Sequence, residues 1–394
     1  MSSLQFAKRM EEITFSKSQA TIRRVGELRR QGVDVIDFGT RADTPKDVKA
    51  AAIRQLETNV ASFYTDARGL TELRLAIARK LAAENGIDAD PETEIIASIG
   101  GKQGIQAALL ALVDGDDEVL IEDPGWLSFE PMVRLAGATP VPLAMIEENG
   151  FNFTIDDLRA KITPKTRLLI LCNPHNPTGR VLDRAALEAI AEVAREHEFS
   201  VLMDEAYERF VYDGNAHVSL AALEGMWSRT ITVQTTSKIY NMFGWRIGWI
   251  AARAEIIEKI LTINSHSITC PTSFAQAGAA AALGADIGQG DLPIQEIVAN
   301  YERQRNVLVA GLRAIPGVSC EMPGGAYFVF PNIRSFGKSS RDISRHLLED
   351  AGVATLPGSD FGNQGEGHVR LVFNAPVPEI ERGLEKISAA LRGI

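Results

Sequence analysis

The sequence predicts an α/β fold with a mostly parallel sheet sandwiched by helices, plus a smaller α+β domain. Between residues 94 and 233, short apolar, β-branched runs alternate with amphipathic helical segments. This alternation is typical of parallel strands joined by crossover helices. After about Asp286 the alternation stops, and long helices with separated strands follow. That change of texture indicates the second, smaller unit.

The amino-terminal region is predicted to precede the alternation with helices and one strand. Residues 1–30 are polar and helical in pattern, and residues 33–38 alternate as a short strand. Pro45 suits the first turn of an amphipathic helix over residues 45–57. A second amphipathic helix is predicted over residues 71–85.

Six strands and four intervening helices are predicted in the alternating region. The strands are Glu94–Ile99, Glu118–Ile121, Thr139–Pro142, Arg167–Leu171, Ser200–Met203 and Thr230–Val233. The helices are Gln103–Leu112, Leu127–Leu135, Ile155–Lys161 and Arg184–His197. Ligands of such sheets bind at the carboxyl ends of the strands. Beyond the alternation, the predicted elements are helices 294–315 and 341–350, strands 318–321, 326–331 and 368–373, and a terminal helix from Glu379.

Composition and charge exclude several classes of protein. The 394 residues carry a net charge of −10 without a basic cluster, which argues against a nucleic-acid-binding surface. Residues 260–285 carry no formal charge, but polar residues and Pro271 interrupt them, so we predict no membrane span. The three cysteines lack metal-binding or CxxC spacing, and a cytoplasmic location is the simplest interpretation.

A lysine and an arginine lie eight positions apart after the last strand of the alternation. Lys238 follows Thr235, Thr236 and Ser237, and Arg246 follows it. A lysine in a partly dry pocket near another cation becomes a nucleophilic amine, and an arginine is suited to clamp a phosphate. An amine that forms a Schiff base beside a phosphate site is what pyridoxal 5′-phosphate (PLP) requires. The alternative is a buried strand followed by a solvated lysine and a surface arginine.

Other motifs follow earlier strands. In Gly100-Gly101-Lys102-Gln103, the glycines allow backbone N–H groups to approach an anion at a helix start, although a plain strand–helix turn has the same pattern. Trp126 and Asp204 each follow a strand, where an aromatic ring and a carboxylate can contact a heterocycle. A core tryptophan and a helix-capping aspartate are the alternatives.

Together these motifs resemble the fold-type I, class I/II PLP-dependent aminotransferases, of the aspartate aminotransferase kind. The resemblance includes the doubled Asn-Pro motif Asn173-Pro174-His175-Asn176-Pro177-Thr178-Gly179 and extends from Tyr64 to Arg370. It implies a PLP-binding large domain over residues 45–285 and a discontinuous small domain of residues 1–44 and 286–394. It also implies a homodimer with shared active sites.

The resemblance implies specific roles for the cofactor site. Lys238 carries PLP as a Schiff base and moves the substrate proton, Asp204 pairs with the pyridine nitrogen, and Tyr207 and Asn176 reach the phenolic oxygen. The other residues expected to bind the cofactor are Trp126, which stacks on the ring, Gly101, Lys102, Thr235, Ser237, Arg246 and, from the partner subunit, Tyr64.

Substrate binding is assigned to Gly39, Asn176 and Arg370, of which Arg370 grips the α-carboxylate. A charged residue in an apolar strand needs a partner, so a structural Arg–Asp pair is the alternative for Arg370. Gly39-Thr40-Arg41 departs from the common family pattern, and Arg41 or Lys102 is a candidate to recognise the distal carboxylate of an acidic substrate.

The predicted function is PLP-dependent transfer of an amino group between an L-amino acid and a 2-oxo acid by a ping-pong mechanism, without a metal, and with an acidic or broad substrate range. A β-lyase or a carbon–carbon bond-forming enzyme on the same scaffold is the alternative. The PLP-sensing domain of a transcription regulator is a remote one, because few residues precede Gly39 and the chain is acidic.

Overall fold

The computed structural model describes residues 4–39, 42–284 and 294–394 and is built around a seven-stranded sheet. The strands are β1 (Ile95–Ser98), β2 (Glu118–Asp123), β3 (Thr139–Ala144), β4 (Thr166–Cys172), β5 (Ser200–Asp204), β6 (Thr230–Thr235) and β7 (Gly248–Ala251). Their order is β1-β7-β6-β5-β4-β2-β3, and every pair is parallel except the two that involve β7. The prediction of a mostly parallel sheet is confirmed.

Twelve α-helices are present in the described part of the chain. They are α1 (Lys17–Arg30), α2 (Lys46–Leu56), α3 (Thr71–Lys80), α4 (Gly100–Leu112), α5 (Phe129–Leu135), α6 (Ile155–Lys161), α7 (Arg184–Glu196), α8 (Ala254–Ser267), α9 (Ser273–Gly284), α10 (Ile294–Arg313), α11 (Ser340–Glu349) and α12 (Val377–Leu391). None of these described helices is both long and apolar enough to cross a bilayer. The cytoplasmic location stays a prediction.

Both faces of the sheet are covered, as the apolar strands require. Within β4, Leu168 and Ile170 enter one hydrophobic core, whereas Leu169 and Leu171 enter another that also contains residues of α7. Successive side chains of a strand point to opposite faces, so a strand buried on both sides must be apolar at every position. This explains why the central strands read as continuous apolar runs.

A second, three-stranded antiparallel sheet follows in the carboxyl-terminal part. It contains β8 (Phe328–Val329), β9 (Leu356–Pro357) and β10 (Val369–Val372) in the order β8-β10-β9. The strands predicted at residues 33–38 and 318–321 are reduced to single bridges, Ile36 to Val353 and Ser319 to Asn332. Neither segment has a partner strand along its length, so the two predicted strands are wrong.

The parallel strands bring the strand-end motifs to one edge. In the register of β4 and β5, Cys172 lies opposite Asp204, so Asn173 and its motif begin beside Asp204. Strand β6, which pairs with β5 on its other side, ends at Thr235 and leads directly to Lys238. The fold therefore gathers motifs that are about 30 residues or more apart in the sequence.

Candidate active site

Lys238 lies in the turn after β6 and is mostly enclosed by aromatic rings. Its Nζ atom is 5.4 Å from the ring centre of Tyr207, 5.1 Å from that of Phe243 and 5.8 Å from that of Tyr327. Burial lowers the pKa of Lys238 to about 8; the carboxylate of Asp204 opposes this shift, and nearby arginines add to it. The amine is thus available in its nucleophilic, neutral form near neutral pH.

Asp204 ends β5 and is buried beside this amine. Its Oδ1 accepts a hydrogen bond from the backbone N–H of Ala206 at 3.1 Å. Burial raises the pKa of Asp204 to about 6, although the Ala206 hydrogen bond and the charge of Lys238 lower it. A buried carboxylate with a single such bond retains acceptor capacity for a cationic partner.

Asn176 connects Tyr207 with Arg370. Its Nδ2 donates to the Tyr207 hydroxyl at 3.5 Å, and its Oδ1 accepts from Nη1 of Arg370 at 3.0 Å. The Arg370 guanidinium lies 4.6 Å from the ring centre of Phe328 and 4.9 Å from that of Phe361. These contacts fix the plane of the guanidinium beside the lysine.

Arg370 has no carboxylate partner within residues 4–39, 42–284 and 294–394, and its buried Nε lacks any hydrogen-bond partner there. Burial lowers the pKa of Arg370 to about 10. The alternative of a structural Arg–Asp pair is therefore wrong for the described residues. A mostly buried guanidinium without an anion is suited to bind a carboxylate bidentately.

Lys102 and Arg246 form a second cationic region. The Lys102 Nζ atom lies 5.0 Å from the ring centre of Trp126, and burial, followed by Arg246 and Lys238, lowers the pKa of Lys102. Arg246 donates to the carbonyl oxygens of Phe243 at 3.2 Å and Ile99 at 3.3 Å. Among the residues that the structure describes, neither cation makes an ion pair with a carboxylate. Such a pair of cations favours an anion.

The backbone beside these cations is open because of glycine. Gly100 has φ +70°, and a Cβ atom there would lie 2.6 Å from Nη2 of Arg246. Gly101 follows in the first turn of α4. On β6 and beyond, the hydroxyls of Thr235 and Ser237 lie 2.8 Å apart, and Thr235 also contacts the Ile247 carbonyl at 2.8 Å. Helix start, hydroxyls and cations together are suited to bind a phosphate.

Comparison with known proteins decides between the remaining alternatives. The family model "Aminotransferase class I and II" matches residues 32–387. The chain belongs to this family. It is therefore an enzyme that transaminates amino acids with PLP, and the lyase and regulatory alternatives are not favoured.

Individual relatives align with nearly the whole chain. The chain is 39% identical over 361 residues to aromatic-amino-acid aminotransferase 2 of Thermococcus litoralis, and the alignment covers 92% of this chain and 91% of the relative. It is 39% identical over 374 residues to aspartate aminotransferase of Pyrococcus abyssi, and this alignment covers 94% of the chain and 95% of that relative. The structure of Thermus thermophilus aspartate aminotransferase with maleate superposes with a TM-score of 0.91 at 34% identity, covering 98% of this chain and all of that one (100%).

The residues of this aminotransferase fit PLP. They offer an amine of lowered pKa at Lys238, a buried carboxylate at Asp204 and, next to Gly100, two cations without a carboxylate partner in the described chain and two hydroxyls. The predicted residues Lys238, Asp204, Tyr207 and Asn176 lie together at one strand edge. Trp126 lies beside Lys102 rather than in a closed core and is only partly buried.

Three predicted residues lie apart from this group or outside the described chain. Tyr64 projects into solvent with 85% of its surface exposed. Gly39 lines a cavity of about 500 Å³ together with Arg370 and residues of α1. Arg41 lies outside the described residues, so its proposed contact with a distal carboxylate stays a prediction.

Sequence reasoning missed the aromatic side chains around Lys238 and Arg370. Tyr327 and Phe328 come from a segment that was interpreted only as a strand, and Phe361 from a loop before β10. Their signal is the aromatic pair in Gly324-Gly325-Ala326-Tyr327-Phe328, although its position beside Lys238 depends on long-range packing.

A buried polar network lies behind the aminotransferase site. Glu205 is buried and accepts from Ser219 Oγ at 2.9 Å and Gln234 Nε2 at 2.8 Å. Glu205, Glu208 and His217 offer ligand atoms close enough to hold a metal ion. However, the Lys80 ammonium donates to Glu208, Asn85 and Gln234 and already supplies positive charge there. We interpret the cluster as a charge network.

Proposed function

We propose that the amine of Lys238 works between two anion sites, the Lys102–Arg246 region for the cofactor phosphate and Arg370 for the substrate α-carboxylate. This placement is the observation that carries the assignment. PLP, when bound, supplies an aldehyde that condenses with amines and a ring that withdraws electrons from the substrate Cα. Lys238 holds the cofactor and then takes the proton from Cα, for which its pKa of about 8 is suitable.

The other side chains hold and orient the reactants. With PLP bound, the buried carboxylate of Asp204 would accept a hydrogen bond from the ring nitrogen and keep that nitrogen protonated. Tyr207 and Asn176 would hold the phenolic oxygen, and Asn176 also donates to Tyr207 and accepts from Arg370. Trp126 would hold the face of the ring, and backbone and hydroxyl groups of Gly101, Thr235 and Ser237 would bind the phosphate with Arg246. Gly39 borders the substrate.

The test of this assignment replaces Lys238 by alanine. Lys238→Ala should abolish turnover, and borohydride reduction of the PLP-loaded wild type should label Lys238 in a peptide map. Lys259→Ala, on the exposed side of α8, is the matched control and should keep both activity and label. Label on another lysine, or a Lys238→Ala enzyme with near-normal turnover, would refute the assignment. Initial rates with two varied substrates should show ping-pong kinetics.

The proposed substrates are amino acids with acidic side chains, within a broad range that includes aromatic ones. Relatives are named aspartate and aromatic-amino-acid aminotransferases. The Lys102 ammonium is partly exposed beside Trp126 and has no described carboxylate partner, so it can receive a distal carboxylate. A panel of amino donors with 2-oxoglutarate, pyruvate and oxaloacetate as acceptors tests the range.

Variants of the two candidate cations separate their roles. Lys102→Gln and Arg41→Gln are compared for affinity toward aspartate and toward a neutral amino acid. A selective loss for aspartate supports recognition of the distal carboxylate. Equal losses for both substrates reject it, and weakened PLP binding would instead assign Lys102 to the phosphate alone.

We also propose a homodimer with shared active sites. The segment after α2 exposes large apolar groups, with Val60 45%, Phe63 72% and Tyr64 85% exposed, and a second copy would cover them. If Tyr64 completes the partner's site, Tyr64→Ala and Lys238→Ala enzymes are each inactive, but their mixed dimer has one intact site. Unfolding and refolding a mixture should restore activity, and no recovery from a verified mixed dimer would contradict shared sites.

The two sheets support a division into domains. We propose that residues 45–285 form the large PLP-binding domain around the seven-stranded sheet. Residues 1–44 and 286–394 form the small domain around β8, β9 and β10. The bridge between Ile36 and Val353 joins the two separated parts of the small domain. Under this division Arg370 belongs to the small domain and Lys238 to the large one.

A further inference from the structure

One of the two aromatic rings that hold Arg370 comes from a loop rather than from a strand. The guanidinium lies 4.6 Å from the ring centre of Phe328 and 4.9 Å from that of Phe361. Phe328 belongs to β8, which pairs with the strand of Arg370, β10. Phe361 is 3% exposed and lies in the loop between β9 and β10. The position of one side of the guanidinium therefore depends on what holds this loop.

Two hydrogen bonds join the loop to the turn that follows β2. The Oδ1 atom of Asp123 accepts from the backbone N–H of Gln364 at 3.0 Å. In the same turn, the N–H of Gly125 donates to the carbonyl oxygen of Phe361 at 2.7 Å. The turn continues into Trp126, which is assigned to the face of the cofactor ring. The two bonds thus connect the turn of the ring-binding tryptophan with the loop that packs on the arginine.

We propose that Asp123 is a positioning residue that holds Phe361 against Arg370 and so fixes the guanidinium for the substrate α-carboxylate. The inference rests on the proposed function of Arg370. It adds a residue of the large domain to the binding of the carboxylate by the small-domain arginine.

The side chain of Asp123 is not explained by its own turn. Asp123 is 6% exposed, and its hydrogen bond to Gln364 reaches 241 positions along the chain. Within residues 4–39, 42–284 and 294–394, its carboxylate makes no salt bridge. Burying a carboxylate is unfavourable unless hydrogen bonds satisfy it. A buried carboxylate that binds the backbone of a distant loop is explained by its holding of that loop.

Gly362 shows how closely the turn and the loop meet. It has φ +126°, and a Cβ atom at this position would collide with Oδ1 of Asp123. On its other side the loop is joined to the strand of Arg370, because the N–H of Gly358 donates to the carbonyl oxygen of His368 at 2.8 Å. Phe361 is therefore held between the large-domain turn and the strand that carries the arginine.

The expected effect follows from the geometry of carboxylate binding. Two parallel hydrogen bonds to a carboxylate require a guanidinium whose plane is fixed. Without the acceptor at Asp123, the loop loses one of its two bonds to the turn, and Phe361 restricts that plane less. Arg370 keeps its charge and its hydrogen bond to Asn176 at 3.0 Å. Carboxylate binding should therefore weaken without being abolished.

The test compares Asp123→Ala with Asp123→Asn and with the control Asp90→Ala. Asparagine keeps an oxygen acceptor at position 123. Asp90 likewise accepts from a backbone N–H, that of Glu92 at 2.8 Å, but in the exposed loop before β1. One readout is the calorimetric dissociation constant of maleate, a dicarboxylate that has no amino group to react, on the PLP-loaded proteins. The others are the dissociation constant of PLP, and kcat and KM for an L-amino acid.

We expect Asp123→Ala to weaken maleate binding and to raise KM by about 5- to 50-fold, less than the roughly 100-fold that a displacement of about 1 Å can cost. The kcat and the dissociation constant of PLP should stay near the wild-type values, because Lys238 and Asp204 keep their contacts. Asp123→Asn should lose less maleate affinity than Asp123→Ala. Asp90→Ala should match the wild type in all readouts.

Gly362→Ala tests the same contact from the side of the loop. Its Cβ atom should displace the Asp123 carboxylate and weaken maleate binding. In the Asp123→Ala background its effect should be smaller, because the oxygen with which it collides is absent. Thermal unfolding of each variant verifies its fold.

Unchanged maleate binding in Asp123→Ala would overturn the inference. So would an equal loss in Asp90→Ala or in Asp123→Asn, or a Gly362→Ala effect that is the same with and without the Asp123 carboxylate. Failure of the proposed function is distinguishable, because Arg370→Leu would then bind maleate as tightly as the wild type.

Discussion

Replacing Arg370 by lysine should lower kcat/KM, and replacing it by leucine should lower kcat/KM further. Both variants should keep the fold. The guanidinium is held between two aromatic rings at 4.6 and 4.9 Å and donates to Asn176 at 3.0 Å. Its remaining donors have no described carboxylate partner, and the buried Nε has no described partner at all. A substrate α-carboxylate can therefore receive two parallel hydrogen bonds.

The size of each step follows from the bonds that are lost. Lysine keeps the charge but contacts a carboxylate at a single point, so one charge-assisted hydrogen bond is lost. That loss costs about 1.5–3 kcal/mol, or roughly 10- to 150-fold in kcat/KM. Leucine removes both bonds and the charge, about 3–6 kcal/mol, or roughly 10²- to 10⁴-fold.

The assay measures kcat/KM for an L-amino acid and for the primary amine that lacks only the α-carboxylate. The amine should react equally with the wild type and the Arg370 variants, because it makes no contact for them to lose. Arg341→Lys is the control; its guanidinium is largely exposed and pairs with Asp360 at 2.7 Å. If kcat/KM of the leucine variant for the amino acid were within about threefold of wild type, the loss would be smaller than that of one such hydrogen bond, and the assignment would be refuted. Equal losses for acid and amine would do the same.

Three further predictions concern ionisation and packing. In PLP-free protein, uptake of PLP by Lys238 should accelerate as pH rises through about 8, its pKa, because the amine loses its proton there; absorbance kinetics that are flat across this range would contradict it. The pKa of Asp204 is about 6 in the folded protein against an ordinary 3.8, so the folded state binds the extra proton and the contribution of Asp204 to stability should fall as pH rises from 3.8 through about 6. Because other carboxyl groups titrate in the same range, urea unfolding should compare the two proteins, and the stability of the wild type relative to Asp204→Asn should fall across this range. Gly248→Ala would place a Cβ atom 2.8 Å from the amide nitrogen of Gly101, so it should lower the unfolding free energy by about 1–3 kcal/mol in a denaturant titration. The Cβ atom of Gly244→Ala would meet no atom within 4 Å, so this control should leave the unfolding free energy nearly unchanged.

The sequence predicted the fold and the family at the places where a local pattern of residues also marks the end of a buried strand. Strands buried on both faces are continuous apolar runs, and their polar ends at Asn173, Asp204 and Thr235 mark the edge that the parallel sheet brings together. The fold class and the PLP-dependent family were therefore predictable and are confirmed. The individual site roles stay predictions, although the geometry places Lys238, Asp204 and Asn176 together.

Other features depend on contacts that no local pattern reports. Strand β7 has four residues and begins with Gly248, and it forms because β1 and β6 are present on both sides. Phe361 lies against Arg370 only after the loop before β10 has folded back. Glu205 accepts a hydrogen bond from Gln234, which in turn accepts one from Lys80, more than 100 residues earlier in the sequence. Such pairings require the tertiary structure.

The charge network behind the active site has a consequence for how this enzyme can diverge. Lys80 is 1% exposed and pairs with Glu208, whereas Glu205 lies 3.4 Å from His217 and accepts a hydrogen bond from Gln234. Removing one member leaves the opposite charge buried without a partner, which costs about 3–5 kcal/mol of stability. Exchanging the whole set for apolar groups of similar volume changes stability little. Relatives should therefore keep or exchange the residues at positions 80, 205, 208 and 217 together. A chimera that joins two relatives between residues 80 and 205 should fold stably only when both relatives have the same residues at these four positions.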